Sequence, residues 1–277
     1  MPPSAGSAEL AGLRRRIAAL EGGSGPDGPS WGALPFGIAD LDGTLGGGLA
    51  WGALHAATAA APGQEGALLA FALALAARAA RLRRAPVLLV QQELAGLEGG
   101  WLYGPGAQEA GLPEGALILV RVRRAEEALL VMEEALKCSA VCAVLGEVGT
   151  GVPDALTATR RLSLAARAGG ALGLLLRPAP DPSPCAAVTR WSIAPQPSTP
   201  PDAFGGLGVG CVSARLMRNR QGPPGAWRLR LGPGDFALAP PRLMPREDSH
   251  DGARRPPLSQ PLARPPLDRP GRTAPAA

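Results

Sequence analysis

Five short apolar runs, separated by longer stretches, most of helical spacing, constrain the fold of this chain more than any other feature. They cover residues 53–58, 86–90, 116–120, 140–145 and 171–176. Strands that read as unbroken Ala, Val, Leu and Ile, instead of alternating apolar with polar residues, are covered on both faces. Helical patterns over residues 67–84, 126–137 and 154–168 supply that cover. The expected fold class is α/β, a mostly parallel sheet flanked by helices. Past residue 190 the period changes: RWSIA, CVSARLMR and WRLRL are strands divided by Pro/Gly turns, and they predict an antiparallel C-terminal extension.

The 277 residues divide by composition into three parts. In residues 1–30, Leu10, Leu13, Ile17 and Leu20 form one apolar stripe on a short helix, followed by a Gly/Pro/Ser linker. That helix either folds back on the domain or docks on a partner or a sister subunit, so a homo-oligomer stays open. Residues 31–239 carry the domain. Residues 240–277 are a Pro/Arg-rich tail with the composition of a disordered segment.

The formal net charge is +5, and one Lys stands among 28 basic residues. Arginine suits bidentate contact with phosphate or carboxylate, which fits nucleic acid or an acidic protein as partner. Arg78, Arg81, Arg83 and Arg84 crowd the end of the helix over residues 67–84, where cations suit the helix dipole. The N-terminus has no basic-then-apolar leader, and the longest apolar stretch, about residues 66–80, is shorter than the roughly 20 residues that span a bilayer. A cytoplasmic protein without a membrane partner is expected. Cys138, Cys142, Cys185 and Cys211 lack C-x-x-C spacing, and only His55 and His250 could assist them, so they read as buried thiols and no metal is expected.

Residues 46–69, GGGLAWGALHAATAAAPGQEGALL, have the layout of a strand, a phosphate-binding loop and a helix. A working loop, G-x-x-x-x-G-K-[ST], cradles phosphate with backbone N–H groups, reaches it with Lys and holds Mg²⁺ with a hydroxyl. Here the loop residues Gly63, Gln64, Glu65 and Gly66 are followed by Ala67 and Leu68, and the single lysine of the chain is Lys137. Neither ammonium nor hydroxyl is available, so ATP hydrolysis and a nucleotide cofactor are not expected. Gly63 and Gly66 either offer N–H groups to a phosphate or only make the turn, and Glu65 brings negative charge beside any anion.

Three stretches together carry a resemblance: LPFGIADLDGTLGGGLAWGALH before the first core strand, EGGWLYGPGAQEAGLPEGALILVR in the middle, and TRWSIAPQPS with ARLMRNRQGPPGAWRLRL near the end. Their order resembles the RecA-type recombinase core, and more closely the ImuA family of damage-inducible RecA-like proteins, from about Leu34 to Leu238. For an active RecA-type ATPase the resemblance implies a water-polarising carboxylate after the second strand, where Glu93 stands. It implies an Asp at the end of a later strand, where Gly146 stands with Glu147 one step on and so on the opposite face. A sensor Gln position falls near Arg177. Glu93 then reads as a strand-end acid or a structural partner.

The same resemblance implies a non-catalytic accessory factor in damage-induced (SOS) translesion synthesis and mutagenesis. Its implied partners are an ImuB-like protein and an error-prone C-family polymerase, with RecA and DNA as further candidates. The alternatives are a RecA-type DNA-stimulated ATPase with an atypical loop and a SulA-like cell-division inhibitor.

Two further groups stand out. Arg215, Arg218, Arg220, Arg228 and Arg230 surround Trp227, and alternation across the QGPPG turn puts Arg228 and Arg230 on one face with Trp227 and Leu229 on the other. Such a ribbon tracks a phosphate backbone and stacks a base, or it packs its Trp on the core and leaves its arginines in water. Trp101 and Tyr103, in a glycine-bounded loop after the second strand, are either a partner anchor or a lid over a cleft.

Overall fold

The structure, a computed structural model, describes residues 31–149, 152, 154–198 and 208–239. The helix expected near residues 9–21 and the tail after residue 240 lie outside the described residues. β1 (Ala33–Leu34) and β2 (Leu49–Ala50) pair antiparallel around the short helix α1 (Ala39–Thr44). Then come β3 (Leu54–Ala59), α2 (Glu65–Arg83), β4 (Val87–Gln92), α3 (Glu93–Gly99) and α4 (Gly104–Glu109). They are followed by β5 (Leu117–Val122), α5 (Ala125–Lys137), β6 (Ala143–Glu147), α6 (Ala155–Gly169) and β7 (Leu172–Arg177). The last described elements are β8 (Thr189–Gln196), β9 (Cys211–Asn219), β10 (Gly225–Gly232) and β11 (Asp235–Leu238).

Nine strands make one sheet in the order β11-β10-β9-β8-β3-β7-β6-β4-β5. The six from β8 to β5 run parallel, and the antiparallel pairs begin between β8 and β9. The antiparallel extension therefore starts one strand later than the change of sequence period suggests. RWSIA lies parallel to β3 on one side and antiparallel to β9 on the other, a double allegiance that periodicity does not encode.

The two sheet faces have separate covers. α2 packs on one face against Ala57, Leu89, Leu145, Leu174, Leu176 and Ile193. α5 and α6 pack on the other against Leu54, Ala56, Val90, Val144 and Leu175. With both faces covered, every residue of β3, β6 and β7 is buried, which is why these strands are mostly apolar.

α2 is buried around most of its circumference, from Leu68 and Phe71 to Ala80. Its arginines do more than face the dipole. Arg78 donates to the Pro35 carbonyl and pairs with Asp235 at 2.8 Å, Arg81 donates to the Pro233 carbonyl at 2.7 Å, and Arg83 donates to the Gly170 carbonyl at 2.8 Å with its guanidinium 3.9 Å from the Trp51 ring centre. The helix thus fastens the N-terminal lead and the C-terminal hairpin to the parallel core. Phe36, Phe71, Trp191, Trp227 and Phe236 meet in the same place, with ring centres 5.0–6.3 Å apart.

The acids of the ADLDG lead are structural. Asp42 accepts from the backbone N–H groups of Phe36, Gly37 and Ile38, and Asp40 accepts from the Trp227 indole at 2.7 Å. Among the described residues no helix is long and apolar enough to cross a membrane. The cysteines correct one expectation: Cys142 alone is buried, while Cys185 and Cys211 are half-buried and Cys138 is exposed where α5 ends.

Candidate functional site

In a sheet of this kind, ligands bind beyond the carboxyl ends of the parallel strands. The loop from β3 to α2 lies there, and it is filled from within. Gly63 takes a φ of +80°, and its N–H, the group that would meet a phosphate, donates to Glu65 Oε1 at 2.8 Å. The same carboxylate sits in the first turn of α2, where it offsets the positive end of the helix dipole. Gln64 is the N-cap residue; its carbonyl accepts from Ala67 N, while Gly66 is exposed with open space around its Cα. One acidic side chain therefore takes both the donor and the field that an anion would use.

Beside the loop, β4 and β6 bring two polar side chains into the interior. Gln91 is fully buried and donates to Glu147 Oε2 at 2.8 Å. Leu145 and Ala143 face α2, so alternation places Glu147, the last residue of β6, on the α2 side of the sheet. Burial pushes the Glu147 carboxyl up from its ordinary range; the Gln91 amide pulls it partly back, and the charge of Glu65 adds to the rise. Glu65 and Glu147 thus bring negative charge to the place where an ATPase gathers lysine, hydroxyl and magnesium, and an incoming phosphate would meet like charge. Among the described residues no group of three or more His, Cys, Asp or Glu could hold a metal ion.

The acids grouped from the sequence separate in space. Glu93 opens α3 at the rim of the sheet, where it is 3.6 Å from Arg123 and about half exposed. Gln92, the neighbour of Glu93, accepts instead from Gly149 N at 3.1 Å and joins the β4 and β6 ends. Arg177, at the sensor position, lies on the face covered by α6, opposite α2. There it donates to the carbonyls of Val148 and Gly149 and pairs with Asp181 at 3.3 Å. Its buried guanidinium closes the loop after β6 and does not point at the phosphate loop.

Trp101 lies against Gly96 of α3, so close that a Cβ there would meet the ring at 2.5 Å, and Arg121 covers it 4.4 Å from the ring centre. It is held on one side by these neighbours and still exposed on the other; Tyr103 is more exposed, as are Leu94 and Leu97 on α3. Trp227 is buried against Trp191 and bonded to Asp40, so it packs on the core and is not placed to stack on a base. Arg215, Arg218 and Arg230 are exposed, Arg228 is half-buried, and Arg220 is exposed in the turn that follows β9.

The sequence reading missed the Glu65–Gly63 contact and the Gln91–Glu147 pair. A carboxylate two residues after a turn glycine was a usable signal for the first. For the second, only the strand order brings residues 56 positions apart together.

Fold and loop define the class: an α/β protein with a strand, loop and helix of phosphate-loop layout, in which a glutamate occupies the loop. No family model matches the chain. Two curated proteins do, each named Protein ImuA, from Caulobacter vibrioides strain NA1000 / CB15N and strain ATCC 19089 / CIP 103742 / CB 15. Each is 37% identical over 191 residues, spanning 61% of this chain and 77% of the relative. The chain belongs to the ImuA family.

Proposed function

We propose that this protein is a non-catalytic accessory factor in damage-induced translesion DNA synthesis and mutagenesis, which recruits or bridges an ImuB-like protein and an error-prone C-family polymerase. Family membership is the observation that carries this role. The interior of the loop supports its non-catalytic half: the Gly63 N–H is taken by Glu65, and Glu147 stands nearby without a lysine or hydroxyl to balance it. Recruitment draws on outer surfaces, which do not depend on the loop. The exposed Leu94, Leu97 and Tyr103 beside the sheet rim suit contact with a protein.

The test is the ultraviolet-induced mutation frequency of a clean, non-polar deletion strain. Induced mutation is expected to collapse and to be restored equally by the wild-type gene and by Glu65→Gln and Glu93→Gln copies. Unchanged mutation in the deletion strain would remove the translesion role. Failure of the two substituted copies, at normal protein level, would remove the non-catalytic one.

A further inference from the structure

β8, β9 and β10 present a sheet face that α5 and α6 do not reach. Those helices pack on β3 to β7, and on the same side of β8–β10 Arg190, Ser192, Ser213, Arg215, Arg228 and Arg230 are half-buried or exposed. The register fixes which side chains share that face. Ala56, in the α5/α6 core, is paired with Arg190, which is paired with Arg218; Ser192 is paired with Arg215, and Ser213 with Arg228. The alternate residues Trp191, Ile193, Ala214, Leu216, Trp227 and Leu229 all lie in the core under α2. Five arginines therefore line one side of three adjacent strands, and none of these strands contains an Asp or Glu.

Near Arg190, Asp181 is already engaged by the buried Arg177 and by the Ser183 N–H. Arg190 itself donates to the Ser183 carbonyl. Arg215, Arg218 and Arg230 make no ion pair with any described acid. Residues 240–277 hold seven Arg against four acids, so the tail of this chain is itself basic.

We propose that the face of β8–β10 that no described helix covers is a binding surface for the phosphodiester backbone of DNA, held by Arg215, Arg218 and Arg230 and read without reference to base. Guanidinium forks match phosphate oxygens, and the positive field of Arg215, Arg218 and Arg230, none of which pairs with a described acid, releases counterions from a polyanion. With Trp227 turned into the core, no ring of this ribbon is left to stack on bases, so binding is independent of sequence.

The test is fluorescence anisotropy of the full chain with a labelled mixed-sequence single strand of about 30 nucleotides, titrated between roughly 50 and 200 mM salt. The triple variant Arg215→Gln, Arg218→Gln, Arg230→Gln is expected to bind about tenfold or more weaker and to flatten the slope of log K against log salt by about 2. A triple Arg→Lys variant keeps the slope, because each site retains its charge. Arg254→Gln with Arg255→Gln, in the tail, leaves the sheet contribution in place, and homopolymeric strands compete as well as mixed ones. The thermal midpoint of the Gln variant stays at the wild-type value, since its three side chains are exposed. Wild-type slope and affinity in the folded Gln variant would overturn the proposal, as would transfer of the whole effect to the tail variant. Binding of an acidic polypeptide such as polyglutamate, with no DNA binding at low salt, would assign the face to a protein instead.

Discussion

A carboxylate that accepts from its own loop is chemically the opposite of a lysine, although both satisfy a strand-to-helix turn. Glu65 makes the turn self-sufficient: the Gly63 N–H is bonded and the helix end is offset without any ligand. His55 shows a comparable completeness at the other end of β3. The Trp191 indole donates to Thr189 Oγ1 (2.9 Å), the Thr189 hydroxyl donates to His55 Nδ1 (2.7 Å), and His55 Nε2–H donates to the Ala50 carbonyl (3.0 Å). Burial lowers the His55 pKa from 6.5 to about 4, so the ring is neutral at pH 7 and this direction of donors follows from that neutrality.

The sign follows from linkage. Above the unfolded value of 6.5 both states hold a neutral ring, and stability is undiminished; as pH falls from there towards 4, the unfolded chain binds the proton first and stability drops. Urea unfolding at pH 7 and pH 4.5 is expected to show a loss of about 2–3 kcal/mol from this residue alone. A His55→Asn variant, less stable at pH 7, should lack that part of the pH dependence. Parallel curves for the two proteins would show that His55 is not the titrating group.

At the scale of elements, α5 and α6 meet where Gly169 ends α6 against the last turn of α5. A Cβ at residue 169 would stand 2.1 Å from the Leu136 carbonyl oxygen and 2.9 Å from the Lys137 carbonyl carbon. Both neighbours are backbone, so the helices must separate to admit it. Gly169→Ala is expected to lower stability by about 1–3 kcal/mol in spite of the better helix propensity of Ala. Chemical denaturation checks this, with an unchanged midpoint as the contrary result.

The core strands were the legible elements, each found within about three residues at its start because burial on both faces leaves an unbroken apolar run. The short helices α3 and α4 were not. Their sequences, ELAGLEG and GPGAQE, carry several glycines and too few turns for a periodic stripe, and they are held by contacts such as Trp101 on Gly96. The site was half legible. The missing lysine and hydroxyl stand in the sequence itself, whereas Gln91 and Glu147 meet only because β4 lies beside β6.

For the whole molecule, a filled loop predicts silence towards nucleotide. A ligand held at a hundred times its dissociation constant adds about 2.7 kcal/mol, or roughly 5 °C or more for a domain of this size. Millimolar ATP with Mg²⁺ is expected to leave the thermal midpoint of this protein where it was. A rise of that order, abolished by Gly66→Asp, would restore the ATPase alternative.

Sequence by itself determined the buried strands, the helical cover and the residues present in the phosphate loop. Apolar run length, turn residues and side-chain chemistry are local properties, and each acts within a few positions of itself. Tertiary structure decided the rest: that β8 joins the parallel side, that Glu147 lies on the α2 side beside the loop while Glu93 turns to the rim, and that arginines from three strands share one face. Those outcomes depend on strand order and register, which are set when distant segments compete to bury the same apolar surface, and no local pattern records the result.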